Sequence, residues 1–153
     1  MTTNDTPNGS GTAAFPMKAV ARHLTTVARI LLGLVFFIFG LNGFLHFMPQ
    51  PKTMPEGAAA FFGALVNTGY MLPLIMGTQF LVGVLLLSNL FVPLALALIA
   101  PVIVNIIAFH AFLAPSGLPV AGVVLALELY LAWAYRMTFR PMLAMRVAVC
   151  CGQ

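Results

Sequence analysis

The stretch "APVIVNIIAFHAFLAPSGLPVAGVVLALELYLAWAYR", residues 100–136, contains two long apolar segments that are joined by a short turn. Each segment approaches the ~20 residues that an α-helix needs to cross ~30 Å of hydrocarbon. The turn "APSGLP" is so short that the two helices must pack as antiparallel neighbours. The stretch therefore predicts two adjacent membrane-spanning helices, and it raises the question of why Asn105, His110 and Glu128 occur within them.

The composition of the whole chain extends this prediction. Of 153 residues, 61% are hydrophobic and only 7% are charged, and the mean hydropathy is +1.04. A soluble domain carries charge on roughly a quarter of its surface, which this chain cannot supply. The formal net charge is +4, from seven Lys and Arg against three Asp and Glu. The seven basic residues lie at the ends of apolar segments, so the lipid bilayer is the expected partner and nucleic acid is not.

Four apolar segments predict an all-α integral membrane protein, built as an antiparallel four-helix bundle. Between the first two segments lies the apolar stretch 57–67, which is only about 16 Å long as a helix and too short to cross. It predicts a short interfacial or re-entrant helix. The predicted spans are residues 27–47, 70–87, 91–113 and 118–135.

The two ends of the chain differ from this transmembrane domain, which is expected to cover residues 18–140. Residues 1–17 are rich in Thr, Asn, Gly and Pro, which predicts a flexible tail. Residues 141–153 are predicted to be a cytoplasmic tail. Cys150 and Cys151 are adjacent there and lack the C-x-x-C spacing of a redox motif.

The basic residues predict the orientation of the chain. Six of the seven fall on one side of the predicted spans, and only Lys52 falls on the other. Because basic residues concentrate on the cytoplasmic side, both termini are expected inside. The six are Lys18, Arg22, Arg29, Arg136, Arg140 and Arg146.

Glycine and proline predict the packing of the spans. Small residues allow membrane helices to approach closely, and Pro101 removes a backbone donor in the third span, which predicts a kink there. The phenylalanines are interpreted mainly as lipid-facing bulk. The glycines expected at helix contacts are Gly33, Gly40, Gly43, Gly77 and Gly83.

Polar side chains from all four spans are expected to converge in the central and outer parts of the bundle. When the middle of each span is taken as the bilayer centre, Gln79 and Glu128 lie near it and Asn105 lies slightly outward. Asn42 and His110 lie about 10 Å outward, and His46 is near the boundary. The ligand-binding candidates are therefore Asn42, His46, Gln79, Asn105, His110 and Glu128.

Glu128 and His110 are the candidates for catalytic roles. A carboxylate at a helix centre costs roughly 2.5 to 3.5 kcal/mol, so Glu128 should face the interior. Either it forms an ion pair with Arg29, or it is protonated and donates a hydrogen bond to Gln79 or Asn105. The alternative for the Asn and Gln side chains is that they only hydrogen-bond helices together. No metal site is predicted.

Two further stretches, with the one quoted above, resemble the DoxX family of small bacterial membrane proteins. They are "ARILLGLVFFIFGLNGFLHF", residues 28–47, and "FFGALVNTGYMLPLIMGTQFLVGVLLL", residues 61–87. The resemblance covers about residues 24–140. It implies a four-helix protein of the bacterial cytoplasmic (inner) membrane, related to subunits of thiosulfate:quinone oxidoreduction and terminal quinol oxidation. Many relatives carry an acidic residue where this chain has Gln79, so proton transfer is not expected at this position.

Three functions follow as hypotheses. The first is a quinone-linked redox subunit whose ligand enters between the helices. Since the sequence contains no dinucleotide motif, Cys cluster or heme-attachment motif, a partner subunit would supply the electrons. Heme between His46 and His110 is disfavoured, because their depths differ by about 6 Å.

The second function is a noncatalytic accessory subunit that docks on a larger respiratory or photosynthetic complex, and the third is a transporter of small solutes or lipids. Partner subunits or a homo-oligomer are expected.

Overall fold

A computed structural model describes residues 14–48 and 54–139, and over these residues all of the regular secondary structure is helical. The helices are α1 (Ala14–Leu45), α2 (Glu56–Asn67), α3 (Met71–Leu87), α4 (Val92–Phe112), α5 (Leu118–Ala134) and α6 (Arg136–Phe139). A single 3-10 turn, Pro115–Gly117, joins α4 to α5.

The first helix begins well before the predicted span. Residues 14–17, which were expected in the flexible tail, belong to α1. Two threonines on its next turns bond back to the helix, Thr25 to the Ala21 carbonyl and Thr26 to the Arg22 carbonyl. These bonds satisfy the hydroxyl groups within the helix. Residues 1–13 and the expected C-terminal tail with Cys150 and Cys151 lie outside the described residues.

Within residues 14–48 and 54–139, three helical segments are long and apolar enough to cross a membrane: Ala19–Leu45, Val92–Phe112 and Pro115–Ala134. The helices α2 and α3 are bent by 93° relative to each other, and together they count as a fourth candidate, either a broken span or a re-entrant loop. The bend passes through Gly69, whose φ of +75° is a conformation that glycine adopts without steric cost.

Close contact between α1 and α3 depends on glycine. A Cβ at Gly40 would lie 2.6 Å from Phe80 Cα, and one at Gly83 would lie 2.6 Å from Phe37 Cα. Gly33 lies against Leu86. Residues later in α1 therefore contact residues earlier in α3. The two helices therefore run antiparallel. Gly77 is different, because a Cβ there would make only an ordinary contact, 3.9 Å from a Phe44 ring atom.

The core lies where α1, α3, α4 and α5 meet. Helix α1 contacts α3 and α5, and α4 contacts the same two helices. Helix α4 continues through Pro101 without interruption. The largest fully buried side chains are Phe36, Leu32, Leu86, Leu96, Ile99, Ile103, Leu131 and Val82.

Candidate functional site

A cavity of about 490 Å³ lies between the helices, and its walls are mainly apolar. Four of the predicted polar residues border it: Asn42 from α1, Gln79 from α3, and Asn105 and His110 from α4. Sites for small organic molecules commonly combine an apolar wall with a few polar groups. The cavity is therefore the candidate ligand site, and we call it the central cavity.

His110 borders this cavity and has one unsatisfied ring nitrogen. Its Nδ1 atom is buried and has no hydrogen-bond partner within the part of the chain that the structure describes. The imidazole lies so close to Gly117 that a Cβ there would overlap the ring. Glycine at the α4–α5 turn therefore leaves the space that the His110 ring occupies. Since buried polar atoms are normally hydrogen-bonded, the free nitrogen suits a ligand or a bound water.

Asn42 has a structural role as well as a place in the cavity wall. Its Oδ1 accepts a hydrogen bond of 2.7 Å from the Met48 backbone N–H, just beyond the end of α1. The helix ends at Leu45, and His46 adopts a left-handed conformation with φ of 49°. His46 is consequently exposed and does not border the central cavity. The face that Asn42 and His46 would share in a continuous helix is broken at that point.

Gln79 and Asn105 lie at different levels of burial. Gln79 is buried, whereas Asn105 is exposed at the edge of the cavity. Neither side chain forms a hydrogen bond to another described residue, although such bonds commonly join membrane helices. Their amide groups are therefore free to bind a ligand.

Glu128 faces the interior, as expected, but it does not border the central cavity. It is 6% exposed and lies one helical turn beyond Val124, which forms part of the cavity wall. Its Oε2 atom is buried without a hydrogen-bond partner among residues 14–48 and 54–139. The carboxyl therefore lacks both of the partners expected for it, the Arg29 ion pair and the hydrogen bond to Gln79 or Asn105.

Arg29 is bound elsewhere. It is only 8% exposed, and its Nη1 donates to the Leu86 carbonyl and, at 3.5 Å, to the Leu87 carbonyl. These carbonyls belong to the last turn of α3, where the Leu86 carbonyl also accepts the Asn89 backbone N–H at 3.3 Å and the helix dipole favours a cation. Arg29 thus joins α1 to the end of α3.

Aromatic residues of α2 contribute a part of the site that the sequence interpretation missed. The rings of Phe61 and Phe62 lie 5.6 and 5.4 Å from that of Phe109, and all three border the cavity. Phe36 is also buried rather than lipid-facing. The signal was present in the sequence, because Ala58, Phe61, Phe62 and Leu65 recur at the spacing of one helical face.

The helices and the cavity define the class of this protein, a multi-pass α-helical membrane protein. The family model for DoxX matches residues 24–111, more than half of the chain, and the chain belongs to the DoxX family. The match includes the four polar residues of the central cavity, whereas Glu128 lies beyond it. No curated protein and no solved structure matches the chain significantly.

Proposed function

We propose that this protein is a subunit of a quinone-linked redox system and that it binds the head group of a quinone in the central cavity. The observation that carries the proposal is the meeting of Asn42, Gln79, Asn105 and His110 around one apolar cavity of about 490 Å³. The buried and unpartnered Nδ1 of His110 supports it further.

The residues fit this ligand class chemically. A quinone has an apolar ring and carbonyl oxygens that accept hydrogen bonds, and the amides of Asn42, Gln79 and Asn105 are donors. Phe61, Phe62 and Phe109 offer aromatic surface for the ring. Because Asn105 and Val120 border the cavity and are exposed, we expect an isoprenoid tail to extend on this side of the cavity into the surrounding lipid.

The chain also contains groups that can hold protons. Reduction of a quinone takes up two electrons and two protons, and a partner subunit supplies the electrons in this proposal. His110 borders the cavity and can bind a proton at its ring nitrogen. Glu128 lies one helical turn from Val124 in the cavity wall, and its carboxyl group is a second group that can carry a proton.

The proposal includes a membrane arrangement. The α2–α3 pair forms the fourth crossing of an antiparallel bundle in the bacterial cytoplasmic membrane, with both termini inside. This orientation is supported by the basic residues that cluster where α1 begins and α5 ends. Helix α2 then lies at the outer side, where Phe61 and Phe62 cover the cavity.

A binding experiment tests the function. The protein is purified with its native lipid, the lipid is extracted for quinone analysis, and thermal unfolding is followed with a benzoquinone that carries a ten-carbon tail. Quinone should co-purify, and the added quinone should raise the unfolding temperature. Ile106→Trp places a large side chain in the cavity and should abolish the rise, whereas Val104→Trp on the exposed face of α4 should retain it.

His110→Leu supplies a second variant in case Ile106→Trp does not fold. Loss of one hydrogen bond of about 1 kcal/mol predicts binding about fivefold weaker. Equal quinone binding by the wild type, Ile106→Trp and His110→Leu would contradict the site. A constant large partner without any bound quinone would contradict the ligand and favour an accessory subunit.

A further inference from the structure

A second cavity lies at the other end of the bundle, between the first half of α1 and the C-terminal end of α5. Its volume is about 430 Å³. Three arginines border it, Arg22 and Arg29 from α1 and Arg136 from α6, and the described residues around it include no carboxylate. We call it the arginine pocket. It shares no bordering residue with the central cavity.

Two of the three guanidinium groups are fixed in place by the protein. Arg29 is held by the last carbonyls of α3. Arg136 lies over the Trp133 ring with its Cζ 4.6 Å from the centroid, and it donates to the Trp133 carbonyl at 3.1 Å. Since a guanidinium group has five N–H donors, both arginines keep donors for a ligand. Arg22 lies about two helical turns before Arg29 and so on the same face of α1.

The other polar groups of the pocket are neutral. Asn89 contributes from the α3–α4 junction, and the hydroxyl groups of Thr25 and Tyr130 are hydrogen-bonded to each other at 3.2 Å. Three like charges around one cavity repel each other, and an anion between them relieves this repulsion. A phosphate group suits the site best, because its oxygens accept several charge-assisted hydrogen bonds from arginine.

The surroundings indicate where the phosphate comes from. Trp133 is 63% exposed, and Leu24 and Val27 on the same turns of α1 are also exposed. An exposed tryptophan next to exposed aliphatic residues is typical of the boundary between hydrocarbon and head groups. Basic pockets between transmembrane helices bind the head groups of anionic lipids.

We propose that the arginine pocket binds the phosphate of an anionic phospholipid from the surrounding leaflet, with the acyl chains lying against the exposed apolar side chains of α1 and α5. The proposal does not depend on quinone binding, because it concerns a separate cavity. The proposal gives the protein a lipid-binding site. It also gives Arg22 and Arg136 a role in binding lipid, in addition to their effect on the orientation of the chain in the membrane.

The test uses the full chain in detergent after its lipids have been removed. Phosphatidylglycerol, phosphatidylcholine or inorganic phosphate is added, and bound lipid is measured by native mass spectrometry and stability by thermal unfolding. The wild type should bind and be stabilised by phosphatidylglycerol in preference to phosphatidylcholine. Arg22→Gln and Arg136→Gln should each weaken phosphatidylglycerol binding about fivefold.

Lys52→Gln is the matched control, because it removes the same charge from the segment between α1 and α2. It should leave the preference for phosphatidylglycerol unchanged. Equal binding of the two lipids by the wild type, or full retention of the preference by the Arg22→Gln/Arg136→Gln double variant, would overturn the proposal. Stabilisation by inorganic phosphate that equals that by phosphatidylglycerol would overturn the lipid assignment and indicate a soluble phosphate compound.

Discussion

Glu128 and His110 each bury a polar atom that no described side chain or backbone group satisfies. Such atoms lower stability, because they lose their hydrogen bonds to water and gain none in the protein. The two residues differ in setting. His110 borders the central cavity, whereas Glu128 is packed among buried residues of α5 that include Val124 and Leu131.

We predict that Glu128→Met stabilises the protein. Methionine has a similar length and no group that needs a hydrogen bond, so the free energy of unfolding should rise by about 1–3 kcal/mol. Denaturant unfolding in micelles measures this change. Leu129→Met, on the exposed neighbouring position, should alter stability by less than about 0.5 kcal/mol. A loss of stability in Glu128→Met would show that the carboxyl has a favourable partner in the folded protein.

At the scale of elements, the contact between α1 and α3 depends on glycine. Gly40 and Gly83 bring each helix against the backbone of the other. In lipid, the hydrophobic effect does not favour contact between helices over contact with lipid. Close packing therefore supplies much of the attraction between the two helices. It also fixes the position of Gln79 relative to Asn42, and so shapes the central cavity.

Gly40→Ala should therefore destabilise the protein. Its Cβ would lie 2.6 Å from Phe80 Cα and 2.9 Å from the Met76 carbonyl oxygen, and backbone atoms cannot move away as a flexible side chain does. Overpacking of this kind costs about 1–3 kcal/mol, which should appear as a lower unfolding temperature in detergent. Gly122→Ala on α5, where a new Cβ meets no atom within 4 Å, should not lower it. Equal behaviour of the two variants would contradict the glycine contact.

Across the whole molecule, the two cavities differ in chemistry. The central cavity is bordered by aromatic and aliphatic side chains with amides and an imidazole, whereas the arginine pocket is bordered by cations and hydroxyl groups. Helix α1 contributes to both, through Val35 to Asn42 at one end and Ala21 to Arg29 at the other. The proposed orientation places the arginine pocket at the cytoplasmic leaflet.

This orientation can be measured with single cysteines, introduced after Cys150 and Cys151 have been replaced by serine. Ser116 lies in the α4–α5 turn, and Ser88 follows the end of α3. On intact cells, a membrane-impermeant maleimide should label Ser116→Cys and should label Ser88→Cys only after the membrane is opened, because basic residues favour the inner side. The opposite pattern would invert the proposed topology, and labelling of both on intact cells would contradict α4 as a span.

Several properties of this protein follow from its sequence alone. Hydropathy, segment length and charge are sums over neighbouring residues. They therefore predict the membrane class and three segments that the structure forms as helices long and apolar enough to cross a membrane. The cost of placing polar groups in lipid predicts that Gln79 and Glu128 are buried. The stretches that resemble DoxX proteins predict the family to which the chain belongs.

The tertiary structure decided which of these residues meet. His46 lies outside the cavity, because α1 ends at Leu45 and His46 has a left-handed backbone conformation. Arg29 is paired with α3 carbonyls rather than with Glu128. The arginine pocket joins Arg22 to Arg136, which are more than a hundred residues apart. These pairings depend on where the helices end and on which helices pack together. Patterns of neighbouring residues along the chain do not contain the distances between helices.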